Sequence, residues 1–237
     1  MTDTSTTHRR EFLNQIIGAT TAAGLALSAA RASAATVVST QDWTQQVQGR
    51  HRALFDFPQH KGGVPLLHIL NYLGTQAAAF KTGPGEVGAV GTFYSVGPTS
   101  SIPLAFNDHI WAKYELGAYT GLEDASGKPY TRNVFRQPTA ADAHLLIQAM
   151  SLPTLAMLQG AMPALGIESL QKMGTTFLIC NNALGLWTLE LEAKGRGTAA
   201  AIDADLRANL LPGVTIVPAM VIAIDQAQKA GITYNRQ

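Results

Sequence analysis

Cys180 is the only cysteine of this chain and the residue best placed by its surroundings to do chemistry. It ends the run Thr175-Thr-Phe-Leu-Ile-Cys180, whose β-branched and aromatic residues predict a strand. Asn181-Asn182 follow, then an Ala/Leu-rich helical stretch to about Ala193. A thiol at such a junction faces the free N–H groups and the positive dipole end of the next helix, which favours the ionised, nucleophilic sulfur. In this reading Cys180 is at least partly accessible, Asn181 lies beside it, and Asn182 caps the helix and adds a polar wall. His109 and Lys113, which follow an earlier strand, are placed to supply the imidazole or ammonium that helps a thiol ionise. Cysteine is also among the most buried residue types, so the same pattern fits a packing residue. His51, His60, His68, His109 and His144 show no ligand spacing, and neither a metal nor a cofactor is expected.

The elements that must position Cys180 follow a strand–helix alternation. A helix from about Asp42 to Gln48 precedes a strand over Arg52–Phe57, and Val64–Phe80 repeats apolar residues at helical spacing through Leu66, Leu67, Leu70, Leu73, Ala77 and Ala78. Val87–Ser95 is a near-continuous apolar run, as in a strand covered on both faces. A loop at Gly97–Ser101, a helix over Asn107–Leu116 and a less regular stretch from Gly117 to Pro138 come next. Thr139 and Asp142 lead into a helix over Ala143–Met150, and Pro153 and Pro163 fit first helical turns. After Cys180 come a helix over 202–209, a strand at Val214–Val217, a helix over Ala219–Lys229 and a last strand at Ile232–Asn235. Repeated βα units imply an α/β fold of three layers, α/β/α, with a mostly parallel sheet. Gly83-Pro-Gly85-Glu-Val-Gly88 matches the dinucleotide pattern G-x-G-x-x-G, but it follows a helix and precedes a strand, so it is expected to be a turn. The P-loop, H-E-x-x-H, nucleophile-elbow and C-x-x-C motifs do not occur.

The N-terminus carries Arg9-Arg10-Glu11-Phe12-Leu13, an apolar stretch diluted by glycine and threonine, and Ala32-Ser33-Ala34. That order is expected of a twin-arginine signal peptide over 1–34, cleaved after Ala34, and of a protein that is periplasmic or otherwise exported. The remainder, 35–237, suits one domain with its own core. Residues 1–34 hold three of the 17 basic and two of the 16 acidic residues, so the rest carries 14 of each. A neutral chain with 14% charged residues argues against nucleic acid and electrostatic membrane binding, and a stable membrane insertion is not expected once the signal is removed. One cysteine cannot form an internal disulfide, so stability must come from burial and from subunit contacts.

Three segments carry a resemblance: Gly174-Thr-Thr-Phe-Leu-Ile-Cys180-Asn-Asn182-Ala-Leu184, Leu211-Pro-Gly-Val-Thr-Ile-Val217-Pro-Ala219, and Ala223-Ile-Asp-Gln-Ala-Gln-Lys-Ala-Gly231-Ile-Thr-Tyr234. In order and spacing they resemble the DsrE/DsrF-like family, and Asp108-His-Ile-Trp-Ala-Lys-Tyr114 looks like an exported branch of it. The resemblance implies a five-stranded parallel sheet, a homo-oligomer (trimer or hexamer), and transfer of sulfane sulfur as a persulfide. Cys180 matches the family's cysteine, and the partner implied is a thiol or sulfur-donor protein. The chain departs from the family by an insertion around 117–173. The alternative is a non-catalytic oligomeric protein that binds a small ligand or a partner, with Cys180 as a packing residue.

The exported form should begin at Ala35, and replacing Arg9 and Arg10 together by lysine should block its export. Terminal sequencing of the exported protein checks both. A start far from Ala35 would contradict the cleavage site, and normal export of the lysine pair would contradict the pathway.

Overall fold

A strand that is apolar on both sides, as Val87–Phe93 is, needs cover on both faces, and the chain supplies it by interleaving helices with strands. The computed structural model describes residues 43–153 and 156–237. The signal expected over 1–34, with Arg9, Arg10, Ala32 and Ala34, lies outside the described residues. The strands are β1 (His51–Asp56), β2 (Val87–Phe93), β3 (Thr175–Cys180), β4 (Val214–Val217) and β5 (Thr233–Arg236). They form one sheet in the order β4-β3-β2-β1-β5, with every neighbouring pair parallel. The helices are α1 (Val64–Phe80), α2 (Asp108–Lys113), α3 (Leu116–Thr120), α4 (His144–Met150), α5 (Ala156–Leu165), α6 (Ile167–Lys172), α7 (Asn181–Ala193), α8 (Ala199–Ala208) and α9 (Met220–Lys229). The architecture is the three-layer α/β/α one.

Register sorts the sheet into two faces. Phe55, Gly91 and Phe177 share a row, and Ile69 of α1 packs there because Gly91 has no side chain. Phe177 stacks on Phe93, with centroids 5.0 Å apart and planes 3° from parallel. The opposite face carries Asp56, Thr92 and Leu178 in one row, and Cys180 beside Val217 beyond it. On that side Val47 lies against Gly88, and the Trp43 indole donates to Gln226 of α9 at 3.0 Å.

Several expected elements are adjusted. The helix expected over Asn107–Leu116 is two, because Glu115 takes a left-handed φ of 54° and its carboxylate pairs with Arg196. The first of them is capped by Asn107, whose side chain accepts from the Ile110 N–H at 3.3 Å. The helix expected over Asp42–Gln48 is a single 3-10 turn, Trp43–Gln46. Pro163 lies inside α5, not in a first turn. Having no N–H, it leaves the Gln159 carbonyl without its helical donor, and its own carbonyl accepts from the Ser169 hydroxyl at 2.7 Å. Gly83–Glu86 is a turn closed by Glu86 N–H donating to the Gly83 carbonyl, and Gly88 already lies in β2.

The segment 117–173 is tied to the 3-10 turn Ile102–Ala105 and Phe106 through a buried polar side chain. Asn133, 1% exposed, donates to the carbonyls of Leu104 and Phe106 at 2.9 and 2.7 Å. Gly117 admits the Tyr130 backbone so closely that a Cβ would lie 2.1 Å from the Tyr130 oxygen.

Replacing Gly91 by alanine would set a Cβ 2.5 Å from the Phe177 ring, which cannot retreat because Phe93 is stacked on it. The expected loss is about 1–3 kcal/mol, typical of an overpacked core. Urea unfolding checks it, and an unchanged midpoint would contradict this packing.

Candidate functional site

Cys180 is both the last residue of β3 and the N-cap of α7, with no residue between strand and helix. Its φ and ψ of −78° and 117° are still those of a strand, so the side chain turns back over the first helical turn. There Sγ accepts from the Ala183 N–H at 3.4 Å. In the sheet it is flanked by Val217 of β4 and, one step past the last paired row of β2, by Tyr94. The site is therefore at the carboxyl edge of a parallel sheet, where ligands of such folds meet the protein.

Two expectations about the thiol are corrected. Cys180 is 5% exposed, not partly accessible, because Val217 beside it is equally enclosed and the helix starts directly above it. The cap is Cys180 itself, not Asn182, because α7 begins at Asn181, two residues earlier than a capping Asn182 requires. Asn181 is the first helical residue, 7% exposed, and its side-chain oxygen accepts from Arg207 at 2.8 Å. Arg207, on α8, is held in turn by Asp203 at 2.7 Å. This guanidinium beside the Cys180–Asn181 joint was not singled out in the sequence, where its one signal is the i,i+4 spacing from Asp203.

His109 and Lys113 are drawn to another carboxylate. Asp205 lies 2.8 Å from the Lys113 ammonium, 3.8 Å from His109 Nε2 and 2.8 Å from the Tyr114 hydroxyl, and it also accepts from Asn209. Burial works against ionisation of Asp205, but the hydrogen bonds from Lys113 and Tyr114 and the charges of Lys113 and His109 hold its carboxyl below the usual range. The hydrogen bond to Asp205 raises Lys113. The two basic residues thus belong to an α2–α8 clasp, and no contact joins them to the thiol.

A second cluster at the same edge has no counterpart in the sequence reading. Asp56, the last residue of β1 and 4% exposed, accepts from the Tyr94 hydroxyl at 2.8 Å and the Tyr234 hydroxyl at 2.7 Å. The three residues are 38 and 178 positions apart, so only strand order brings them together. Burial, reinforced by the bond to Asp56, pushes the Tyr94 phenol well above its ordinary value, and the same bond raises Tyr234.

A groove of 490 Å³ runs between α1 and β5 past Phe55, Tyr72 and Asn235, on the sheet face opposite Cys180. Among the described residues no group of three or more His, Cys, Asp or Glu side chains could hold a metal ion, and no helix is long and apolar enough to cross a membrane.

All six tyrosines hold their protons more tightly than usual, Tyr72, Tyr94, Tyr114, Tyr119 and Tyr130 chiefly through burial and Tyr234 through Asp56. The folded state therefore binds more protons than the unfolded one above about pH 10, so stability is complete below that pH and falls as pH rises past it. Tyrosinate absorbance of the folded protein should lag that of the unfolded chain. Coincident titration curves would contradict it.

No family model, curated protein or solved structure matches the chain, so the site rests on its own geometry.

Proposed function

We propose that the protein accepts and holds sulfane sulfur as a persulfide on Cys180, and that it does so as an exported homo-oligomer of the DsrE/DsrF-like kind. The observation that carries the reading is the Ala183 N–H donated to Sγ, which fixes the sulfur at the N-terminus of α7 on the carboxyl edge of the sheet. The Cys180 thiolate attacks the outer sulfur of a donor persulfide, the donor's S–S bond breaks, and the donor leaves as a thiolate. An acceptor thiolate then attacks the outer sulfur on Cys180 and releases the Cys180 thiolate. No net oxidation occurs, so one cysteine suffices. Asn181 and Arg207 hold the first turn of α7 in place beneath the sulfur.

A second reading keeps the fold and gives Cys180 the part of a capping and packing residue in a protein that binds a small ligand or partner. The 5% exposure of Cys180 favours it.

Intact mass after incubation with a low-molecular-weight polysulfide separates the two. The persulfide reading expects a gain of sulfur that a thiol reductant removes and that Cys180→Ser abolishes. Serine keeps the helix cap, so this variant should unfold within about 1 kcal/mol of the parent. No reductant-sensitive gain on the parent, together with a thiol inert to alkylation up to about pH 9, would leave Cys180 a packing residue.

A further inference from the structure

β5 closes one side of the sheet, and among the described residues no strand pairs with its outer edge. Its four residues, Thr233–Arg236, are all exposed, whereas β4 at the opposite side is half-buried or buried throughout and is bounded by Pro212 and Pro218. An open strand edge is a template for another strand, and proteins blunt such edges with proline, a bulge or a covering segment. β5 has no proline, and its register with β1 is unbroken from Thr233 to Arg236.

One hydrogen bond fixes the direction of its free backbone groups. Gln237 N–H donates to the Asp56 carbonyl of β1 at 2.9 Å, so the backbone groups of Thr233, Asn235 and Gln237 face β1. The N–H and C=O groups of Tyr234 and Arg236 therefore face away from it. Side chains alternate across the sheet, with Tyr234 and Arg236 on the face of Asp56 and Asn235 on the face of Phe55.

We propose that a second copy of this chain pairs its β5 antiparallel with this one about a two-fold axis at Asn235, joining two five-stranded sheets into one. In that register Tyr234 stands opposite Arg236 of the second copy and exchanges both backbone hydrogen bonds with it. The symmetry repeats the pair, so every outward group of the two residues is satisfied. Arg236, the one formal charge of β5, meets an aromatic ring and not itself. That ring is already held, because the Tyr234 hydroxyl donates to the Asp56 carboxylate at 2.7 Å. An axis at Arg236 would set two guanidiniums against each other, and one at Tyr234 would oppose Arg236 to the buried Ile232.

The surface beside the strand agrees with a copy of itself. α1, the other wall of the groove along β5, has no Asp, Glu, Lys or Arg from Val64 to Phe80, and Phe80 is exposed at its end. Depletion of charge is what distinguishes the core of an interface. Another extended segment could use the same backbone groups, but the doubled Tyr234–Arg236 pairing belongs to β5 against itself. The inference rests on the homo-oligomer proposed above and gives it an interface. Combined with a three-fold axis it builds a hexamer, but it excludes a trimer.

Cysteine cross-linking and light scattering of the purified full chain test it. In this register the two Asn235 residues form a non-hydrogen-bonded pair with Cα atoms about 4.5 Å apart, within disulfide range, whereas the two Thr233 residues lie roughly 14 Å apart. Asn235→Cys should give a dimer under mild oxidation that a reductant dissolves. Thr233→Cys, and the parent with its buried Cys180, should not. Scattering should return an even number of copies for the parent and half that number for Arg236→Pro, which loses an outward N–H and none that faces β1. A monomeric parent would overturn both this interface and the homo-oligomer, and would leave β5 to a strand of another protein. A trimer, or an oligomer that Arg236→Pro leaves whole and Asn235→Cys does not cross-link, would overturn the interface alone. Where the two variants disagree, or Arg236→Pro does not fold, the cross-link decides.

Discussion

The direct passage from β3 into α7 is the constraint on which the site depends. With no residue between strand and helix, Cys180 must satisfy both elements at once: its backbone completes the pairing with β4, and its sulfur serves the open N–H of the first helical turn. A longer connection would let Asn181 or Asn182 cap the helix and would leave the thiol free to face solvent. The short one encloses the sulfur and gives it a fixed donor. The same joint is braced from outside by Arg207, which reaches Asn181 from α8, so the second helix of the β3–β4 crossover bears on the first turn of the first.

Strand order then decides what shares the edge with the thiol. Because β2 lies between β3 and β1, Tyr94 stands next to Cys180 and leans back to Asp56, and because β5 returns to the far side of β1, Tyr234 reaches the same carboxylate. A carboxylate this buried needs its lone pairs filled, and two phenols fill them without bringing a second charge. The carboxyl edge of the sheet therefore carries a polar cluster of Asp56, Tyr94 and Tyr234 at one side and an enclosed sulfur at the end of β3.

Much of this was legible in the sequence wherever a residue's role depends on its neighbours along the chain. Thr175–Cys180, Val214–Val217 and the α1 helix over Val64–Phe80 lie where their apolar patterns place them, because local propensity and burial agree there. What was not legible depends on contacts across the chain. The exposure of Cys180 is set by Val217 and the helix start, the loyalty of His109 and Lys113 by Asp205 on α8, and the Asp56 cluster by strand order. Lys113 looked free because its partner is 92 residues away. The stretch before α4 was harder still, since its order comes from single polar side chains such as Asn133 and not from any periodic pattern.

The central claim is that the sulfur of Cys180 is a working group held by a helix N-terminus and not a cap alone. A crystal structure of the protein treated with polysulfide tests it most directly. The account predicts one additional sulfur bonded to Sγ of Cys180, lying over the first turn of α7 within reach of its backbone N–H groups. An unmodified thiol, still accepting from Ala183 and with no added sulfur, would contradict it.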